Sequence, residues 1–296
     1  MHTFIGILYA FIWATGAIAT KIGLVSSTPL IFAAARLVCA GGILYLFVYL
    51  FKKSYPYPRK KEWIHLLILG VLNTTLYVGC SFLALAYVDS TMFNLLITLN
   101  PFFVAFLASI FLNRKLKKNE LLGMTIAAAG LFIALIPYLD SLRTTLMGLL
   151  ILATGILSMG IGSVYFQKVQ LELPRVVINT WQIILGSLVA LPFVFLLEPD
   201  FSIQIDRYFL FGLFWQVVMI SILAMLLWFY LLKIDAVKAN NFLFLTPVFG
   251  YALSAIFLDE PITLYHYLGA LLVVMGTIFS RSTSKEKRRI TVSSEG

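Results

Sequence analysis

The chain has 296 residues, 61% hydrophobic and 12% charged, with a mean hydropathy of +0.96 and a net charge of +9. Soluble domains carry about a quarter charged residues, so this composition excludes a water-soluble globular protein and requires lipid as solvent. The basic residues lie in short gaps between apolar runs rather than on one face, which points to membrane topology and away from nucleic acid as a partner.

Ten apolar runs approach the roughly 20 residues of a spanning helix: 3–22, 30–51, 63–86, 91–112, 119–137, 146–167, 176–197, 208–231, 238–258 and 262–281. They are continuously apolar and lack the alternation of barrel strands, so all ten are predicted as helices. The first carries Tyr9, Trp13 and, toward its end, Lys21. Its Ala17-Ile18-Ala19 resembles a signal cleavage site, but no Lys or Arg precedes the run, so it counts as the first span. The second carries Arg36; the third carries Asn73 and Tyr77 four residues apart, then Cys80 and Ser81, and leads to Asp89. In the fourth, Asn94 and Thr98 precede Pro101. The sixth bears a stripe of Thr154, Ser158 and Gly162, and the eighth bears Trp215, Gln216 and Trp228. Asn240, Thr246 and Pro247 open the ninth. After Arg281 the polar tail 282–296 is predicted to be disordered.

If the N-terminus is cytoplasmic, 18 of the 22 Lys and Arg residues fall in cytoplasmic segments, and only Arg143 and Arg207 fall outside. The positive-inside rule therefore places both termini in the cytoplasm. The two halves also repeat. At an offset of 146, Asp89 meets Asp235, Asn94 meets Asn240, Pro101 meets Pro247, and Ile110-Phe111-Leu112 meets Ile256-Phe257-Leu258. Gly123 meets Gly269 and Gly130 meets Gly276 at the same offset, while Pro29 and Gly41 meet Pro174 and Gly186 at 145. Each half (3–137 and 146–281) holds five helices, an odd number, so the second enters the membrane inverted. The inversion explains why one copy of the helix end reads Asn113-Arg114-Lys115 and the other Asp259-Glu260-Pro261. Inverted repeats of this kind are a recurrent architecture of secondary transporters, with the substrate held between the halves.

At these residues the chain resembles an EamA-type member of the drug/metabolite transporter superfamily. The similarity is carried by "LLWFYLLKIDAVKANNFLFLTPVFGYALSAIFLDEPITLYHYLGALLVVMGTIF" from Leu226 to Phe279 and by "IWATGAIATKIGLVSSTPLIFAAARLVCAGG" in the first half. It departs at Asn113-Arg114-Lys115, where many members keep an acidic residue. The resemblance implies ten helices in two inverted five-helix repeats, a central cavity lined mainly by helices 1, 3, 4, 6, 8 and 9, and amino acids or related metabolites as cargo, often moved outward.

Polar side chains inside a bilayer must find partners, so their positions carry information. Trp13, Asn73, Tyr77, Asn94, Thr98, Ser158, Gln216 and Asn240 are the candidates for contacting a small zwitterionic or uncharged substrate. For the asparagines the competing role is glue between helices. Gly16, Gly160 and Gly162 suit close helix packing, and Trp215 and Trp228 suit an interfacial belt. Lys21 and Arg36 suit snorkelling toward the outer surface; alternatively Arg36 pairs with Asp89 or attracts an anion. No cluster suits catalysis, metal or cofactor binding, and His2, His65 and His266 are far apart.

The expected function is a plasma-membrane secondary transporter of small organic metabolites such as amino acids, with the substrate and the lipid bilayer as partners and homodimerisation left open. The alternative is a permease for sugar phosphates or nucleotide sugars. A membrane-embedded enzyme is disfavoured because no acid/base cluster lies at span depth. No Asp or Glu falls mid-span, so proton coupling has no support in the sequence. A reporter fused after Arg281 is expected to be active only in a form that works in the cytoplasm; activity of a periplasm-dependent reporter there would overturn both topology and inversion.

Overall fold

The computed structural model describes residues 2–52, 55–113, 118–136, 145–235, 239–259 and 262–293. Lys53, Arg114, Lys115, Lys117, Arg143, Lys238, Glu260 and Pro261, used in the topology and repeat arguments, lie outside them. The chain is all helical: α1 (His2–Gly23), α2 (Pro29–Phe51), α3 (Lys60–Leu85), α4 (Ser90–Phe111) and α5 (Lys118–Leu135) form the first repeat. The second repeat comprises α6 (Leu146–Val169), α7 (Arg175–Leu197), α8 (Arg207–Leu232), α9 (Asn241–Leu258) and α10 (Leu264–Ser293). Eight are long and apolar enough to cross a bilayer, and α5 and α10 contain shorter apolar stretches, Leu121–Ala134 and Leu264–Gly276. Helix α10 runs on to Ser293, beyond the last apolar run. Lys, Arg and Glu are good helix formers, and no Gly or Pro interrupts 277–293.

The repeat is visible as paired contacts. Helices α5 and α10 pack so closely that a Cβ on Gly130 would strike the Gly269 carbonyl, and one on Gly276 would strike the Gly123 carbonyl. The offset of 146 exchanges these two contacts, as a pseudo-twofold axis between inverted repeats requires. The α4–α9 contact follows the same rule. Asn100 Nδ2 donates to Asn240 Oδ1, and its counterpart Thr246 donates through Oγ1 to the Asn94 carbonyl at 3.1 Å.

The helices also break at matching depths. Helices α3 and α8 each widen into π-helix, over Val71–Leu76 and Gln216–Ala224. Ahead of their prolines, α4 and α9 each tighten into 3₁₀ turns, Ile97–Leu99 and Asn241–Leu245. Proline lacks an N–H and crowds the preceding turn, so tighter winding upstream is the expected accommodation.

At one end of the bundle the α1–α2 and α7–α8 connections are tied together. Glu198 accepts from the first N–H groups of α2, Leu30 at 2.9 Å and Ile31 at 3.2 Å, which satisfies donors a helix start leaves free. Ser26 donates to Asp206, and Ser27 pairs with Ile203 in an isolated β-bridge. Asp206 also caps α8 through the N–H groups of Tyr208 and Phe209; these bonds, with that from Ser26, hold its carboxyl below the usual range.

Helices α4 and α9 end alike. Asn113 and Asp259, equivalent by the offset of 146, both adopt left-handed backbone, φ 51° and 50°. Asn and Asp tolerate that region better than other residues with a Cβ. Asn113→Gly and Asp259→Gly are expected to stay within about 0.5 kcal/mol of wild type, and Val at either position to cost about 1–2 kcal/mol. Thermal unfolding in detergent checks this.

Candidate functional site

A cavity lies between α1, α2, α3, α4 and α8, about a third of the way in from the tied end. Its polar and aromatic lining is Trp13, Thr20, Arg36, Tyr77, Ser81, Phe82, Phe93 and Gln216, with Gly16 and Ile220 completing the α1–α8 wall. The free volume is about 30 Å³, room for roughly two waters and far below the ~300 Å³ or more of a ligand pocket. The surrounding helices leave no room for an organic solute.

Each lining group is positioned by its neighbours. Trp13 stacks on Tyr77 with ring centroids 6.0 Å apart. Below it, Tyr9 contacts Trp13 at 5.4 Å and Trp228 at 5.0 Å, so a column of rings runs from the cavity lining toward the end carrying His2. Trp228 is therefore not a belt residue; it is buried in this column. Trp215 is half-buried between α1 and α8, donating from Nε1 to Thr15 Oγ1 at 2.8 Å.

Gln216 Nε2 donates to the Gly16 carbonyl at 2.6 Å and to Thr20 Oγ1 at 2.7 Å. A carbonyl can only accept, so the amide orientation is determined and Oε1 is left buried without a partner. Arg36 is 7% exposed. Its Nε donates to Ser221 Oγ at 2.8 Å and its guanidinium lies 5.4 Å from the Phe82 ring centroid. It neither snorkels nor takes Asp89 as partner; Asp89 is the residue that precedes α4. Snorkelling fails because α2 turns Arg36 toward α8 and not toward lipid or water.

From Ser221 the polar contacts continue across the bundle. Its carbonyl accepts from Asn179 Nδ2 at 2.7 Å, Asn179 Oδ1 accepts from Gln182 Nε2 at 3.2 Å, and Gln182 Oε1 accepts from Asn73 Nδ2 at 3.3 Å. Asn179, Gln182 and Ser221 were absent from the candidates read from sequence. Their signal was available, three polar residues inside apolar runs, though Asn179 and Gln182 have apolar counterparts in the first half, Ala34 and Leu37.

Of the sequence candidates, the structure brings Trp13, Tyr77, Gln216 and Arg36 together at the cavity. It does not bring the other candidates there. Asn94 is fully buried and spans to the carbonyls of Ser90 and Ala14, at 3.1 and 3.4 Å. Asn240 accepts from Asn100. Thr98 bonds back to the Leu95 carbonyl at 2.6 Å, and Ser158 donates to the Leu72 carbonyl at 2.8 Å. Asn73 ends the polar chain just described, with Gly162 leaving it room. Lys21 lies in the last turn of α1, outside the cavity lining. Helices α6 and α9, expected at the cavity, supply none of its walls, and α2 takes part instead. The glycines behave as packing positions: Gly160 admits Asn100, and Gly16 faces Ile220.

Two larger clefts lie on the flanks, about 200 Å³ between α2, α3 and α7 and about 240 Å³ between α1, α8 and α9. Their walls are almost wholly apolar. The hydroxyls of Thr75 and Ser187 in the first are turned to the carbonyls of Gly186 and Ile184. Neither offers a polar group to orient a metabolite.

The burial of Asn94 and Asn240 generates a test. Asn94→Leu and Asn240→Leu are each expected to cost about 0.6–1.7 kcal/mol of stability, the range for hydrogen bonds between membrane helices. Transport per folded molecule should hold, and its loss at unchanged melting temperature would return these residues to the site.

Both halves match the EamA-like transporter family, over residues 2–136 and 146–282. The chain is 27% identical over 282 residues to the uncharacterized transporter YoaV of Bacillus subtilis, covering 94% of this chain and 96% of that one. It is 23% identical over 302 residues to a probable amino-acid metabolite efflux pump of Salmonella typhimurium, covering 98% of both. A crystal structure superposes with a TM-score of 0.74 at 18% identity, covering 96% of this chain and 98% of that chain.

Proposed function

The chain belongs to the EamA-like transporter family, and from that membership and the narrow cavity we propose a secondary transporter that exports small organic metabolites such as amino acids. The plasma membrane is its proposed site, with both termini cytoplasmic. The observation that carries the reading is a narrow cavity lined by Trp13, Tyr77, Gln216 and Arg36, with walls from both halves of the chain. A cavity of about 30 Å³ holds no organic solute, so cargo can enter only if the helices around it separate.

The two gates that this reading implies differ in chemistry. Toward His2 it is the ring column from Tyr77 to Trp228. Toward the other end it is the tie between Ser26, Asp206, Glu198 and the start of α2. Alternating access then consists of opening one while the other holds, with each repeat moving as a unit. The matched π-helical stretches of α3 and α8 are suited to re-registering during that motion. The name of the Salmonella relative supports amino-acid-related cargo and outward transport. No Asp or Glu lines the cavity among the described residues, which favours exchange or facilitated movement over proton coupling.

Cells overproducing the protein are expected to show selected metabolites raised in the medium, measured by mass spectrometry. Trp13→Ala, at an equal level of folded protein, should lower that rise at least tenfold, equivalent to about 1.4 kcal/mol. A medium indistinguishable from that of vector-only cells would sink the transport reading.

A further inference from the structure

We infer that Arg36 anchors a carboxylate of the transported molecule, so that the cavity selects small organic monocarboxylates carrying a second hydrogen-bond donor. The inference rests on the transport reading and narrows its cargo. At 1.5 Å per residue, Arg36 lies about 10 Å along α2 from Pro29. Its contacts are a hydroxyl, Ser221, and an aromatic face, Phe82. No acidic residue among the described ones forms an ion pair with it. A cation at this depth is costly unless an anion joins it, and none of the described carboxylates does so.

Arg36 is also not a requirement of the scaffold. The repeat offset of 145 places Trp181 at the equivalent position of the second half, where an aromatic ring packs against Tyr49 and Trp63. One repeat therefore fills this position with a ring and the other with a charge that lines the cavity.

The geometry favours carboxylate over phosphate. Ser221 occupies Nε, leaving the two Nη groups of the planar fork, which match the two oxygens of a carboxylate. A phosphate group, near two negative charges, would meet this one guanidinium and a wall of Phe82, Phe93, Trp13 and Tyr77. The second recognition element is the Gln216 side chain on the same cavity, whose Oε1 is buried and without a hydrogen bond. It can only accept, so it calls for a donor on the cargo, such as an ammonium or hydroxyl, with the Trp13–Tyr77 rings alongside to favour a cation. An α-amino or hydroxy acid carries both groups.

The test compares metabolites in medium and cytoplasm of cells overproducing wild type, Arg36→Gln or Arg36→Lys with vector-only cells, normalised to folded protein. The expected result is that compounds exported by wild type are monocarboxylates, that Arg36→Gln reduces their export at least tenfold, and that Arg36→Lys retains part of it. The leading exported compound, added to purified wild type, should raise the melting temperature, and its primary amide should not. Export of neutral or phosphorylated compounds, or undiminished export by Arg36→Gln, would overturn the anchor while leaving transport intact. No difference between wild type and vector would overturn the transport reading and the anchor with it. If Arg36→Gln does not fold, the decision passes to Arg36→Lys and the acid–amide comparison. Equal stabilisation by acid and amide, or unchanged export by Arg36→Lys, then refutes recognition by the guanidinium fork.

Discussion

In a bilayer core no water is available to satisfy a backbone N–H or C=O, so each must be paired inside the protein. That constraint makes the chain helical throughout its spans. It also dictates where the helices can depart from regularity, because a loosened turn is tolerable only where a neighbour covers it. Here four of the departures form matched pairs, π-helical in α3 and α8 and 3₁₀ in α4 and α9, while a π-helical end of α2, Leu46–Phe51, has no counterpart in α7. Each paired stretch contains at least one buried residue: Thr74, Ser221, Thr98 and Leu243 among them. Asn73 and Ser221, the ends of the polar chain through Gln182 and Asn179, both sit in π-helical turns.

The scaffold obeys the pseudo-twofold; the cavity does not. Gly130–Gly269 and Gly276–Gly123, or Asn100–Asn240 and Thr246–Asn94, are one contact written twice. These pairs hold the halves together and are poor candidates for cargo recognition. The cavity uses residues without polar counterparts: Arg36 opposite Trp181 in the repeat, and Gln216 where the first half has Gly70 or Val71. A symmetric site would present the same groups twice, whereas a small asymmetric molecule needs different groups at its two ends. The repeat thus provides a closable space, and its departures from repetition provide chemistry.

That division also bears on the candidates read from the sequence. Asn94 and Asn240 stood out because they are mirrored, and mirroring marks structural contacts between the repeats. Arg36 was conspicuous as a charge inside a span, but its partner, Ser221, is 185 residues away and carries no distinguishing pattern.

Composition, run length and the offsets of 145 and 146 determined most of the architecture, because lipid admits only continuous apolar helices and an odd repeat must invert. The paired helix ends at Asn113 and Asp259 belong to the same category: a residue tolerant of positive φ is written at both stops. What the sequence left open was which face of each helix points inward. In a soluble helix the apolar stripe marks the buried side. Here lipid and protein interior are both apolar, so the stripe disappears, and Trp228 reads equally well as a belt residue or as part of a central column. Only tertiary packing distinguished them, since the bundle turned Arg36 toward Ser221 and stacked Trp13 on Tyr77 beside the cavity.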